Sequence, residues 1–339
     1  MKNRDDIKYS YSSANIFPMK IFRNYDLINF ILKHKMIIPY HLQFNPTNKC
    51  NFNCSFCSCS NRDRELEFDF RDLKILINLL IKYKCKSVTV TGGGEPTLYE
   101  SFKNMVNIFN RSKIDIGLVT NGLRLNKFKS NIINKITWIR VSCSDYLEDQ
   151  LMNIGLNLNE WMNNIIESST VNVMVDYSFS YVLSEFPNID MIIYLMNYLN
   201  SYNFKHLRIV SDILKSDKVY PIMVDLKDIL FKSNVDLNKV IFQDRNDFCR
   251  GSEKCYISLL KPGIGADGYI YPCCGTQYAL DNPSKDYEKT MRMGYYDELG
   301  ELIDNQKFFD GSRCIKCYYD NYNQVLDILL NGLKHERFV

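Results

Sequence analysis

From residue 41 onward the chain alternates between two hydrophobic rhythms. Short runs rich in β-branched and aromatic side chains occur at 42–44, 87–91, 114–120, 138–142, 171–175 and 206–210. Such side chains fit a pleated, half-buried surface, so each run reads as a strand. Between them apolar positions recur every three or four residues: Phe70, Leu73, Ile77 and Leu80 share one helical face, as do Ile192, Leu195, Met196 and Leu199. Six strand–helix repeats predict an α/β fold with a parallel sheet and right-handed crossovers. That is short of the eight units of a closed barrel, so the pattern admits a partial barrel or an open sheet. In both, chemistry gathers at the C-terminal ends of the strands.

The flanks read differently. Residues 1–40 begin polar and carry an amphipathic stretch at 21–38, too short for an independent domain. His34 and His41 in this region read as structural or surface residues. The repeat lapses at 211–248, which reads as a linker with one helix. Beyond it, the β-rich runs 257–264 and 269–271 flank Asp267-Gly268, a strong hairpin signal.

Composition narrows the function classes. A formal charge of +3 with mixed signs gives no polyanion-binding signature, so no nucleic-acid partner is expected. The start, Met1-Lys2-Asn3-Arg4-Asp5-Asp6, lacks the apolar core of a signal peptide. No apolar run approaches the ~20 residues that span a bilayer. Twelve cysteines without an export signal point to reduced thiols that hold metal, and to the cytoplasm.

Three of those cysteines, Cys50, Cys54 and Cys57, stand at C-x3-C-x2-C directly after the first strand and a Pro46-Thr47-Asn48 turn. Thiolates select iron–sulfur clusters or zinc, and a short loop of this spacing wraps one centre. Three thiolates leave one iron of a four-iron cubane without a protein ligand. With Phe56 before the last cysteine, the motif resembles the signature of radical S-adenosylmethionine (SAM) enzymes. The resemblance implies a partial (βα)6 TIM-type barrel and a 4Fe–4S cluster whose open iron is chelated by SAM. It also implies reductive cleavage of SAM to a 5′-deoxyadenosyl radical, with Phe56 near the adenine.

Further motifs follow in the family's order. After the second strand, Gly92-Gly93-Gly94-Glu95-Pro96 permits close backbone approach and φ > 0; alone it would pass for an ordinary turn. It matches the family's G-G-E-P motif, whose backbone binds the SAM amino group. Asn121 lies in Thr120-Asn121-Gly122, after the third strand, where a plain turn is the bland reading. Ser142, Ser144 and Asp145, after the fourth, suit the ribose and carboxylate of SAM by resemblance; Asp145 serves equally well as a helix N-cap. Arg208, a cation within the sixth strand, either anchors an anion or pairs structurally.

A second group comprises Cys249, Cys255, Cys273, Cys274, Cys314 and Cys317. Cys255 and Cys273 flank the hairpin and Cys314-x2-Cys317 returns later, so four thiolates can close one metal site, an iron–sulfur cluster or zinc. Cys255, Gly268 and Cys273 form the C-x12-G-x4-C element of the family's twitch, or shortened SPASM, extension, which implies an auxiliary 4Fe–4S cluster. Cys85 and Cys143 read as core residues, and Cys59 and Cys274 as neighbours of ligands. Cys249 is open to three readings: auxiliary ligand, hydrogen donor to a substrate radical, or spectator.

The domains are therefore expected as an N-terminal extension at 1–40, a radical SAM core at 41–215, a linker at 216–248 and a small cysteine-rich α+β domain at 249–339. The expected activity is hydrogen-atom abstraction from a peptide or carbohydrate-like substrate, as a net oxidation through the auxiliary cluster. An electron donor such as flavodoxin or ferredoxin is implied. The alternatives are a redox-neutral epimerase using Cys249, or a zinc or iron–sulfur binding protein without SAM chemistry.

Overall fold

The computed structural model describes residues 19–202, 204–233, 236–244, 248–280 and 287–335. The strands are β1 (His41–Phe44), β2 (Ser87–Val90), β3 (Asp115–Thr120), β4 (Trp138–Ser144), β5 (Asp176–Leu183), β6 (Leu207–Ser211) and β7 (Val240–Gln243), then the short β8 (Lys254–Cys255), β9 (Gly263–Ile264), β10 (Tyr269–Tyr271), β11 (Gly294–Tyr295) and β12 (Phe309–Asp310). The chain divides into two compact units, one of residues 45–67 and 88–247, the other of 1–44, 68–87 and 248–339.

In the first unit β2 to β7 lie side by side in chain order, and from β3 onward every pair is parallel. The register sorts the side chains into two faces. Val141, Phe179 and Leu207 form one row and Cys143, Tyr181 and Ile209 the next, all buried. The other face carries Ser142, Ser180 and Arg208 in one row, with Arg140 and Ser178 in the row below. The apolar face is matched by helical stripes: Trp161, Met162 and Ile165 of helix Leu158–Val171, and Met191, Ile192, Leu195, Met196 and Leu199 of helix Ile189–Ser201. Rings continue the packing, with Trp161 6.2 Å and Phe204 4.8 Å from Phe179. Each buried side chain of this size contributes about 1.5–3 kcal/mol. An Asn157–Glu160 capping box fixes where helix Leu158–Val171 starts.

The α/β partial-barrel expectation holds, with two revisions in the first unit. The fifth strand is Asp176–Leu183 and not 171–175. Val171 ends a helix, and Val173 and Met174 are 71% and 84% exposed, so β-branching there reflects local preference without burial. The stretch 211–248 is more than a linker: helix Ser216–Lys232 and β7 add one further repeat to the sheet. The four-residue strand Val240–Gln243 was too short to declare itself.

In the second unit β1 pairs parallel with β9, β9 and β10 form an antiparallel hairpin, and β10 pairs with β11. Gly268, at φ +81, takes the turn position the Asp-Gly pair predicts. The run at 257–264 is not one strand: Ile257–Leu260 is a helical turn that precedes β9. The N-terminal amphipathic stretch forms helix Tyr25–His34, which buries Leu27 and Ile31 and packs on helix Asp320–Asn331. Gln306 clamps the following segment by accepting from the Ile37 N–H at 2.7 Å and donating to its carbonyl at 2.9 Å. Among the described residues no helix is long and apolar enough to cross a membrane.

Candidate functional site

The first cysteine group sits on a loop whose two ends are stitched together. Thr47 bridges Glu67 in antiparallel fashion, the Asn48 N–H donates to the Leu66 carbonyl at 2.9 Å, and Lys49 pairs with Glu67 at 3.6 Å. The glycine run then docks on the strand leading into Cys50. The Gly94 N–H donates to the Thr47 carbonyl and the Glu95 N–H to the Lys49 carbonyl, both at 2.8 Å. Side chains cannot be accommodated here: a Cβ on Gly94 would lie 2.0 Å from the Lys49 carbonyl oxygen, and one on Gly93 1.9 Å from Asn48 Oδ1. Close approach explains these glycines, since none of the three adopts positive φ.

Glu95 follows, 3% exposed. Its carboxylate accepts from Thr97 N (3.0 Å), Thr97 Oγ1 (2.6 Å), Thr120 Oγ1 (2.6 Å) and Asn121 N (2.7 Å). Burial raises its pKa while these donors pull the other way. Asn121 extends the network: its Nδ2 donates to Asn51 Oδ1 at 2.7 Å, its Oδ1 accepts from Leu123 N at 3.1 Å, and its carbonyl accepts from Trp161 Nε1 at 2.8 Å. Gly122 turns the chain at φ +83.

Cys50, Cys54 and Cys57 are half-buried, as is Phe56 between them. The Phe52 N–H points at Cys50 Sγ at 3.4 Å, and Gln150 bonds the Cys54 thiol. Burial raises Cys50, with the charges of Glu95 and Cys57 raising it further, and pushes Cys54 up to about 12, with the charges of Cys57 and Cys50 adding to it. Cys57 is held below the usual thiol range, first by a hydrogen bond with Cys59 and also by the charges of Arg62 and Arg64. The three thiols therefore share one patch, with donors and two guanidinium groups to support thiolate.

At the end of β4, Ser142 takes its place in the polar row with Ser180 and Arg208, and Arg208 donates from Nε (3.3 Å) and Nη2 (2.9 Å) to Ser180 Oγ. Ser144 is buried, and its Oγ accepts from Tyr146 N at 3.3 Å. Asp145 does not cap the next helix, whose N-cap is Tyr146 without a side-chain bond. Its carboxylate instead accepts from Ser184 N at 2.6 Å, Asn188 N at 2.7 Å and the Tyr181 hydroxyl, tying β4 to the end of β5.

The second cysteine group lies wholly within the other unit. Cys255, Cys273, Cys314 and Cys317 line one cavity with Gly251, Gly275 and Gly311. Each of three thiols has an N–H donor: Asn323 for Cys255, Gly275 N at 3.2 Å for Cys273, and Tyr319 N at 3.4 Å for Cys317. Burial pushes Cys255 and Cys317 up to about 12 and Cys314 to about 11, so metal binding must displace protons. Among the described residues no three His, Cys, Asp or Glu side chains converge on a single-ion site. Cys249 is exposed, paired with Cys317 through the backbone and not among the lining residues. Cys274 bonds the Tyr319 hydroxyl at 3.1 Å, and Cys85 and Cys143 are buried as expected.

Residues 44–208, which carry the three-cysteine loop, the glycine run and the polar end of β4, match the family model of the radical SAM superfamily. This is a radical SAM domain.

The sporulation killing factor maturation protein SkfB of Bacillus subtilis (strain 168) is 22% identical over 249 residues, 70% of this chain and 60% of its own. GTP 3′,8-cyclase of Staphylococcus epidermidis is 28% identical over 187 residues, covering 48% and 52% respectively, and that of Aquifex aeolicus (strain VF5) 24% over 270, covering 68% and 81%. The chain thus spans under two thirds of the length of the first two. Among solved structures, Streptococcus suis SuiB bound to S-adenosylmethionine superposes with a TM-score of 0.56 at 15% identity, over 91% of this chain and 80% of that one. The enzyme anSMEcpe, solved with AdoMet and a Cp18Cys peptide, gives 0.54 at 17%, over 87% and 88%. Both likenesses are of fold. A radical SAM domain implies a 4Fe–4S cluster and SAM, and its residues suit the cluster: three half-buried thiols near one another, with N–H donors and two guanidinium groups beside them, on a loop against which Gly93 and Gly94 pack too closely for any side chain.

Sequence reasoning found the cysteines and the glycines. It missed Asn51, which lies inside the cysteine motif but has its partner in Asn121, and Gln150 and Trp161, which reach the site from distant parts of the chain and carry no local signature.

Proposed function

We propose that this radical SAM enzyme modifies a peptide by hydrogen-atom abstraction, in a net oxidation assisted by a second cluster on Cys255, Cys273, Cys314 and Cys317. The observation that carries the reading is the docking of the glycine run on the three-cysteine loop through the Gly94 and Glu95 amides. It brings a three-thiol patch and the backbone of the glycine run to one set of strand ends, where parallel α/β sheets place their chemistry. When bound, the cluster and SAM supply the radical reactivity; the protein's part is to bind, orient and exclude water. On this reading Cys50, Cys54 and Cys57 are the cluster's protein ligands. Phe56, Gly92, Gly93, Gly94, Ser142 and Ser144 border the cofactor, and Glu95, Asn121 and Asp145 hold that border in place.

Peptide substrates are favoured over carbohydrates by relatives of known use: SkfB is a maturation protein, and SuiB and anSMEcpe have been solved with peptides. Four thiols around one cavity, three with N–H donors, support a second metal centre there, and the spacing of Cys255, Gly268 and Cys273 is what favours a cluster over zinc. The exposure of Cys249 supports a role outside the ligand set. A cytoplasmic setting, where thiols stay reduced, and a flavodoxin- or ferredoxin-type electron donor complete the proposal.

The test is anaerobic reconstitution, iron counting and a 5′-deoxyadenosine assay, on the wild type and on a Cys50/Cys54/Cys57→Ala variant. About eight irons falling to about four, with SAM cleavage abolished, is the expected result. Full clusters without SAM cleavage in the wild type would sink the reading.

A further inference from the structure

Cys50 is bracketed. The residue before it, Lys49, receives the Glu95 N–H on its carbonyl at 2.8 Å, and the residue after it, Asn51, receives Asn121 Nδ2 on its side-chain oxygen at 2.7 Å. The two tethers have one origin, because the Glu95 carboxylate accepts from Asn121 N at 2.7 Å. Thr120 and Thr97 occupy the carboxylate's other oxygen, and Trp161 Nε1 holds the Asn121 carbonyl from a fully buried position. Every atom of this chain of bonds lies within one compact unit.

We infer that Glu95 and Asn121 are positioning residues for Cys50, acting through Lys49 and Asn51, and do not themselves touch the cofactor. Cys54 and Cys57 are placed by other means, the Cys57 N–H to Cys54 carbonyl turn at 3.1 Å and the Gln150 contact. The three thiols are thus set by separate devices, and the Glu95–Asn121 pair governs one of them. The buried carboxylate already takes four donors, three of them on one oxygen, and the side-chain amide of Asn121 is committed at both ends. The inference rests on the cluster-ligand reading of Cys50, but the bracket can be tested without a cluster.

The experiment uses Asn51→Ala, Asn121→Ala, the double variant and Glu95→Gln, in the full-length chain. In the metal-free protein, alkylation by iodoacetamide is mapped by mass spectrometry at Cys50 and Cys57. Loss of the bracket raises the rate at Cys50 about tenfold relative to Cys57, the effect of one buried hydrogen bond with its partner left unpaired. The double variant is no faster than the faster single, because both remove the same bond. Tryptophan emission, from Trp138 and Trp161 together, stays at the parent position in Asn51→Ala, which reports that the fold is intact even if Glu95→Gln fails to fold. In the reconstituted protein the same variants lose iron to a chelator faster, while SAM affinity stays within about twofold.

Equal alkylation at Cys50 in Asn51→Ala, Asn121→Ala and the wild type would overturn the inference. So would a tenfold loss of SAM affinity with unchanged iron release, which would make Asn121 a cofactor contact. Failure of the wild type to cleave SAM would count against the proposed function alone, because the alkylation pattern stands without it.

Discussion

Glu95 is a carboxylate whose burial outweighs its four donors, so its proton is held more tightly in the folded state than in the unfolded one. The native chain then binds more protons than the denatured chain above the usual carboxylate range. Unfolding free energy should therefore fall as pH rises from the ordinary value of 4.5 through the raised one. Urea titrations of the metal-free protein across that window should show the slope, and Glu95→Gln should flatten it. Gly94→Ala makes a sharper demand, because its Cβ would stand 2.0 Å from a backbone oxygen that cannot swing away. The substitution should cost more than about 2 kcal/mol and abolish cluster retention, read as iron per chain after reconstitution. These two residues also show what a sequence discloses. The glycines were legible because they follow the second strand in order after the three-cysteine motif, although alone they would pass for a turn. The network of Glu95 was not, because Thr120 and Asn121 meet it, and Asn121 meets Asn51, only once three segments have folded together.

Elements repeat the lesson with a different cause. The helices declared themselves through stripes such as Ile192, Leu195, Met196 and Leu199, since a two-sided amphipathic pattern has one economical reading. The fifth strand was misplaced because Val171, Val173 and Val175 outscore Asp176–Leu183 on β-branching alone, whereas burial decides. The difference is measurable. Met174→Asp, at an exposed site, should change stability by no more than about 0.5 kcal/mol, while Phe179→Ala within β5 should cost about 3–5 kcal/mol. Asn157→Ala should lie between them, at about 1 kcal/mol, through loss of the capping box. Chemical denaturation of the three variants in one buffer checks the order.

Across the whole molecule, the two cysteine groups fall in separate compact units, each complete within its own. Cys255→Ala should accordingly remove about four irons and leave 5′-deoxyadenosine formation in place, while the Cys50/Cys54/Cys57 variant removes the other four and abolishes it. Cys249→Ala should retain the full iron count. If product formation then stops while 5′-deoxyadenosine still forms, the epimerase alternative replaces net oxidation. The number and spacing of the cysteines were readable from the sequence, because ligand spacing is a short-range property. Their separation into two parts of the chain was readable too, whereas the recruitment of 1–44 and 68–87 into the second unit was not, because it depends on long-range pairing.

One of those units is assembled from three separated stretches of chain, and that fixes an order of events at the ribosome. One edge of β1 pairs with β9, so there Gln43 waits for Gly263, and Ile37 waits longer still for Gln306. The first wait is 220 residues, or about 10–40 s at roughly 5–20 residues per second. During that interval the 45–67 and 88–247 segments can already have folded. The three-cysteine loop is thus ready for iron well before the Cys255 cavity exists, and nascent chains captured before residue 255 should take up only the first metal centre.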